Sequence, residues 1–188
     1  MPLNANRLAK KINSEISKKI KKKFKGAKPG KNMKKFSKAI AIGVVKSIKG
    51  KRGKIRPPAG TGGIGRGIKG LKPKRLSSAM IKHCKKAFKS QGPALKSITE
   101  PMAKAIVGEL GKASVKGTNG GTAKKFSGWS VGKMAGLMAK KSGFKKTKEN
   151  KKLFKALSQA ITDEIKKYGK SKIPRTGPGS GPGIATIS

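Results

Sequence analysis

Lysine is the residue whose numbers and spacing could do most in this sequence, and what it offers is positive charge. The 188 residues hold 49 Lys+Arg against 6 Asp+Glu, a formal charge of +43 at pH 7. All but six of those cations are lysines. Lysine is a compact point charge without the planar fork of arginine, so this balance suits diffuse neutralisation of phosphates better than bidentate reading of base edges. Three clusters are densest: Lys18, Lys19, Lys21, Lys22, Lys23 and Lys25; Lys51, Arg52, Lys54 and Arg56; and Lys145, Lys146, Lys148, Lys151 and Lys152. These are the candidate polyanion-binding residues. Their partner is either nucleic acid, bound without regard to sequence, or the acidic surface of another protein.

Other chemistry finds little to work with. Gly60, Gly62 and Gly65 have the GxGxxG spacing, but a dinucleotide fingerprint needs a buried strand before it, and here a helical pattern and a basic linker precede it. Gly67-Ile68-Lys69-Gly70 misses the spacing of a phosphate-binding loop. One histidine, His83, and one cysteine, Cys84, make neither a metal site nor an internal disulfide. Six scattered acids with one histidine do not supply the oriented base that acid/base or nucleophilic catalysis needs. The sequence is therefore expected to be non-enzymatic, with no cofactor, metal or small-molecule substrate. Trp129, Tyr168 and the six phenylalanines read as core anchors rather than base-stacking platforms, and Cys84 as a small buried hydrophobe.

The elements that must carry the lysines are written in four-residue ladders. Leu8, Ile12, Ile16, Ile20 and Phe24 recur every fourth position, then Phe36, Ile40, Val44 and Ile48, then Leu76, Met80, Cys84 and Phe88. Ile98, Met102, Ile106 and Leu110 follow, then Met134 and Met138, and last Leu153, Leu157, Ile161 and Ile165. Such a step marks amphipathic helices. The periodicity predicts helices over 5–24, 33–49, 73–89, 98–112, 129–142 and 149–168, crossing by i±4 ridge packing. Leu71 and Lys74-Arg75-Leu76 echo Leu3 and Asn6-Arg7-Leu8, and Pro57, Gly60 and Gly62 echo Pro174, Gly177 and Gly179. The expected fold class is mainly α: three repeated helical-hairpin units, 1–70, 71–128 and 129–188, joined by Gly/Pro-rich extended loops, with little or no β-sheet.

Each helix offers only four or five large apolar side chains, roughly 1.5–3 kcal/mol apiece when fully buried. That is too little to order a unit alone, so the units must pack on one another, and a partner is expected to stabilise the whole. The glycine segments cannot build a core, which makes Gly60, Gly62, Ile64, Ile68, Gly177, Gly179, Gly183 and Ile184 candidate subunit contacts through backbone. No run of about 18 apolar residues is present and the N-terminus lacks an apolar signal region, so the chain is expected to be soluble, made inside a cell and without a membrane partner.

The opening Met1-Pro2-Leu3-Asn4-Ala5-Asn6-Arg7-Leu8, the stretch Lys155 to Ile165 and the tail Gly177-Pro178-Gly179-Ser180-Gly181-Pro182-Gly183-Ile184 resemble small structural proteins of tailed bacteriophage virions. Those proteins pair repeated short helices with glycine-rich ends, though the ones this pattern resembles are alanine-rich and nearly neutral. The resemblance implies a virion location, assembly with other virion proteins or with copies of itself, and no catalytic residues. The alternatives are a ribosomal or other ribonucleoprotein component, against which the scarcity of arginine weighs, and a sequence-independent DNA-compacting protein, which leaves the repeated hairpins unexplained.

Overall fold

In the computed structural model the described residues are 2–21, 30–56, 64–69, 71–88, 93–116, 122–123, 126–141, 147–172 and 185–187. They are mainly helical. The six helices are α1 (Ala5–Lys21), α2 (Lys31–Ile48), α3 (Pro73–Phe88), α4 (Pro93–Leu110), α5 (Val131–Lys141) and α6 (Lys148–Tyr168). Asn4 starts α1, its side-chain oxygen accepting from the backbone N–H groups of Asn6 at 2.9 Å and Arg7 at 3.0 Å. Thr147 does the same for α6, accepting from the Asn150 N–H. α4 begins five residues earlier than its apolar ladder implies, because Pro93 can occupy the first helical position without losing a bond.

The ladder residues face inward. Leu8, Ile12 and Ile16, Ile40, Val44 and Ile48, Leu76, Met80 and Cys84 are buried, as are Met102, Ile106 and Leu110, Met134 and Met138, and Leu157, Ile161 and Ile165. They belong to one continuous core. Each helix packs on the next in sequence, and α6 packs back on α1, so the helical layer closes on itself. α2 and α3 approach closely at Gly43, where a Cβ would stand 2.8 Å from Met80 Cγ and 3.1 Å from the Met80 N.

The connectors correct one expectation. Instead of loops alone, the described parts of these segments form seven short strands: β1 (Gly50–Arg56), β2 (Ile64–Lys69), β3 (Ser114–Lys116), β4 (Thr122–Ala123), β5 (Phe126–Ser127), β6 (Ser171–Lys172) and β7 (Ala185–Ile187). They join in one antiparallel sheet of order β4-β6-β7-β1-β2-β3-β5. Glycine weakens a strand by itself, but backbone pairing on both sides overrides local propensity. Ile68 lies opposite Ile55, and Gly65 opposite Val115.

Candidate polyanion interface

The connectivity gives the molecule two unlike ends. α2, α4 and α6 run into β1, β3 and β6 within a few residues, and β2 and β5 run as directly into α3 and α5. The sheet therefore lies at the end where odd-numbered helices begin and even-numbered helices finish. The last turns of α1, α3 and α5 and the first turns of α2, α4 and α6 lie at the other end, roughly 26 Å away along a 17-residue helix.

Lysines crowd this end. Lys18 is exposed and Lys19 half-buried at the close of α1; Lys31, Lys34 and Lys35 are exposed at the start of α2. Lys85 and Lys86 are exposed at the close of α3, and Lys96 in the first turns of α4. Lys140 near the close of α5 is exposed, as are Lys148 and Lys151 at the start of α6, with Lys152 half-buried. Two carboxylates with described side chains oppose them, and a third acid, Glu149, lies in the first turn of α6. Glu15 pairs with Lys18 at 2.8 Å, and its hydrogen bond and charge raise the Lys18 pKa; Glu100 stands 3.8 Å from Lys96. The first turns of α2 and α4 carry no acidic residue, and Gly30 caps α2 without a side-chain bond. Lysines beside helix N-termini are unfavourable in an isolated chain and favourable once an anion is present.

The first and third sequence clusters thus converge. Of their members, Lys18, Lys19, Lys148, Lys151 and Lys152 have described side chains, Lys21 lies in the last turn of α1, and Lys22, Lys23, Lys25, Lys145 and Lys146 lie outside the described residues. The second cluster does not join them. Lys51, Arg52, Lys54 and Arg56 lie in β1, in the sheet. Sequence reasoning missed Lys31, Lys34, Lys35, Lys85 and Lys86; their only sequence signal is that they stand near helix ends, and nothing in a linear count gathers those helix ends to one place.

No protein-family model, curated protein or solved structure matches this chain.

At the sheet end the carboxylates are consumed as clamps. Glu164, 1% exposed, accepts from Arg7 Nε at 3.0 Å and Nη2 at 2.6 Å and from the Asn4 N–H at 3.1 Å, while the Arg7 guanidinium lies 3.5 Å from the centre of the Tyr168 ring. Asp163 pairs with Lys11 at 3.3 Å. Glu109 accepts from Lys112 at 2.5 Å and from the Ser130 N–H at 3.1 Å. Burial raises the Glu109 pKa, but those hydrogen bonds and the charges of Lys112 and Lys133 outweigh it and hold the carboxyl below its ordinary value.

The remaining candidates occupy structural places. Cys84 is buried and burial pushes its thiol up to about 11, so it stays protonated at neutral pH. His83 is held below its ordinary value by burial and by Lys46, Lys86 and Lys82. Trp129 donates to Thr162 at 2.9 Å within the core. Among the described residues no group of three His, Cys, Asp or Glu could hold a metal, and no helix is long and apolar enough to cross a membrane.

Of the glycine-segment candidates, Ile64 and Ile68 lie in β2, whose ladder is filled from within the chain by β1 and β3. Gly60, Gly62, Gly177, Gly179, Gly183 and Ile184 lie outside the described residues. The last described tail residues, Ala185–Ile187, pair with β1 and β6 of the same chain rather than awaiting a neighbour.

Proposed function

We propose that this chain is a non-enzymatic structural component of a large assembly, a virion of the tailed-bacteriophage type, that lays its lysine end on nucleic-acid phosphates and bridges neighbouring subunits. The observation that carries the polyanion reading is the division of charge. The six acids divide evenly, Glu109, Asp163 and Glu164 being engaged at the sheet end, whereas at the far end Glu15, Glu100 and Glu149 stand among exposed lysines from all six helices. Protein interfaces are poor in lysine and centred on aromatic or other apolar anchors. Leu137 is the one large hydrophobic residue exposed among those described, so this end favours a phosphate backbone over an acidic protein. Three hairpin units bearing short connector strands, in a chain whose charge is cancelled by its partner, complete the reading.

Salt titration against a 30-base-pair duplex tests it. Binding is expected to be independent of sequence, with a log–log slope of about −0.9 per phosphate neutralised. Replacing Lys18, Lys19, Lys21, Lys22 and Lys23 by Gln should flatten that slope by several units and leave sequence preference untouched. A slope that ignores the substitution, with weakened copurification with a structural protein of the particle, would move these lysines to an acidic protein surface.

A further inference from the structure

We infer that the chain is a closed ring of three equivalent units, a single chain in the place of a trimer, whose lysine end offers a polyanion one lysine corner from each unit about one axis. The strand register carries the first part. Ile64 and Thr122 each stand nine residues ahead of the next helix, which begins at Pro73 and Val131 respectively. Ile64–Lys69 pairs at its start with β3 of the following unit (Ile64 with Lys116, Gly65 with Val115) and at its end with β1 of its own (Ile68 with Ile55, Lys69 with Lys54). The segment 122–127 repeats this. Its start pairs with β6 of the following unit (Thr122 with Lys172, Ala123 with Ser171), and its end with β3 of its own (Phe126 with Val115, Ser127 with Ser114). β7 completes the cycle, pairing with β6 of its own unit and with β1 of the first.

The sheet consequently has no free ends. Its two edge strands, β4 and β5, are the two halves of that one six-residue segment. Ala123 and Phe126 are three residues apart along the chain, so at most about 11 Å separates them. Seven strands laid flat at about 4.8 Å spacing would hold their edges roughly 29 Å apart. The sheet must curl into a ring beneath the ring of helices.

The junctions between units agree. Leu3, Leu71 and Trp129 each stand two residues ahead of a unit's first helix and pack in or against the core. Glu109 and Glu164 each sit one residue before the last ladder position of a unit's second helix, and each accepts the N–H of the residue preceding the next unit's first helix, Ser130 and Asn4. At the third junction Ser47 takes the glutamate's place, and the close contact of Gly43 with Met80 joins α2 to α3. Each unit also contributes a lysine pair to the far end, Lys18 and Lys19 from α1, Lys85 and Lys86 from α3, and Lys151 and Lys152 from α6, the last from a unit's second helix rather than its first.

Two experiments on the full chain decide the ring. A circular permutant with Ser188 joined to Met1 by a short Gly–Ser linker and opened between Gly70 and Leu71 should keep the far-ultraviolet spectrum and cooperative melt of the parent. Amide hydrogen exchange on the unpermuted protein should protect residues 122–127 to within tenfold of residues 64–69. An unfolded permutant together with fast exchange across 122–127 overturns the ring. That each unit supplies a corner rests on the polyanion reading and is tested separately. The pairs K18Q/K19Q, K85Q/K86Q and K151Q/K152Q should each flatten the salt slope on a 30-base-pair duplex by up to about two units. Loss confined to one pair overturns the three corners, and a parent chain that does not bind the duplex refutes the polyanion reading while leaving the ring to the first two measurements.

Discussion

The two ends of this molecule spend the same residue type in opposite ways. At the sheet end Arg7, Lys11 and Lys112 are tied to Glu164, Asp163 and Glu109, and the chain's first and last helices are held together by two of these pairs. At the lysine end the cations outnumber the acids several times, and Glu15 and Glu100 make ordinary i,i+3 and i,i+4 contacts along their own helices. Charge that is buried and paired fixes structure; charge that is exposed and unopposed contributes little to the fold and stays available to a partner. A chain with six acids has few clamps to make, and its buried ones, Glu109 and Glu164, join the end of one helix to the residue ahead of another.

Deleting residues 174–188 should separate the ends most sharply. It removes β7, which lies between β6 and β1, and leaves two strands unpaired in mid-sheet. The expected result is a larger drop in melting temperature than any single substitution gives, while the lysine end loses none of its residues. A truncated chain that melts like the parent would show that the sheet contributes nothing to holding the helices.

The Arg7–Glu164 pair comes next, and its two halves should differ. Removing Arg7 leaves Glu164, 1% exposed, without its cation, a change of about 3–5 kcal/mol by the usual cost of breaking a buried pair. Removing Glu164 leaves an Arg7 side chain that is 26% exposed and can hydrate, so about 1.5–3 kcal/mol is expected. Urea midpoints at unchanged m-value measure both. Equal losses would mean that the glutamate is solvated in the folded protein.

Glu109 gives a smaller, pH-dependent effect. Its folded pKa lies below the ordinary carboxylate value, so its contribution is complete above that value and is lost as pH falls through the lowered one. Melting temperature followed from pH 6 to pH 2 should fall more steeply for the parent than for Glu109→Gln. Parallel curves would place the acid sensitivity elsewhere.

The least effect on the fold is expected at the other end. Replacing Lys34, Lys35, Lys85 and Lys86 by Gln should change stability by no more than about 0.5 kcal/mol per site, with a slight gain at low salt as self-repulsion falls. Thermal melts at 20 mM and 500 mM salt check this. A clear loss of stability would assign these lysines to the fold.

Much of the helical layer was legible in the sequence, because a four-residue step of Leu, Ile, Met and Phe with lysine between has one compact solution. Leu8, Ile40, Leu76, Ile106 and Leu157 are buried as that spacing requires. The early start of α4 escaped because its first turn carries little of the ladder, and the short strands escaped because Gly65 and Gly67 read locally as loop. The lysine clusters were visible as residues but not as a place: Lys51–Arg56 is nearly as dense as Lys18–Lys25, yet it lies in β1.

What the sequence determined by itself was therefore periodicity, excess charge and the shortage of carboxylates, since these are properties of neighbouring residues and of counts. The tertiary structure alone decided which lysines share an end, that Glu164 meets Arg7 from 157 residues away, and that the strands of separate segments pair. Those outcomes depend on how helix ends and strand edges find partners across the whole chain. Hydrogen bonds and ion pairs of that range leave no periodic trace in the segments that make them, because each partner is selected by the position of the other in space.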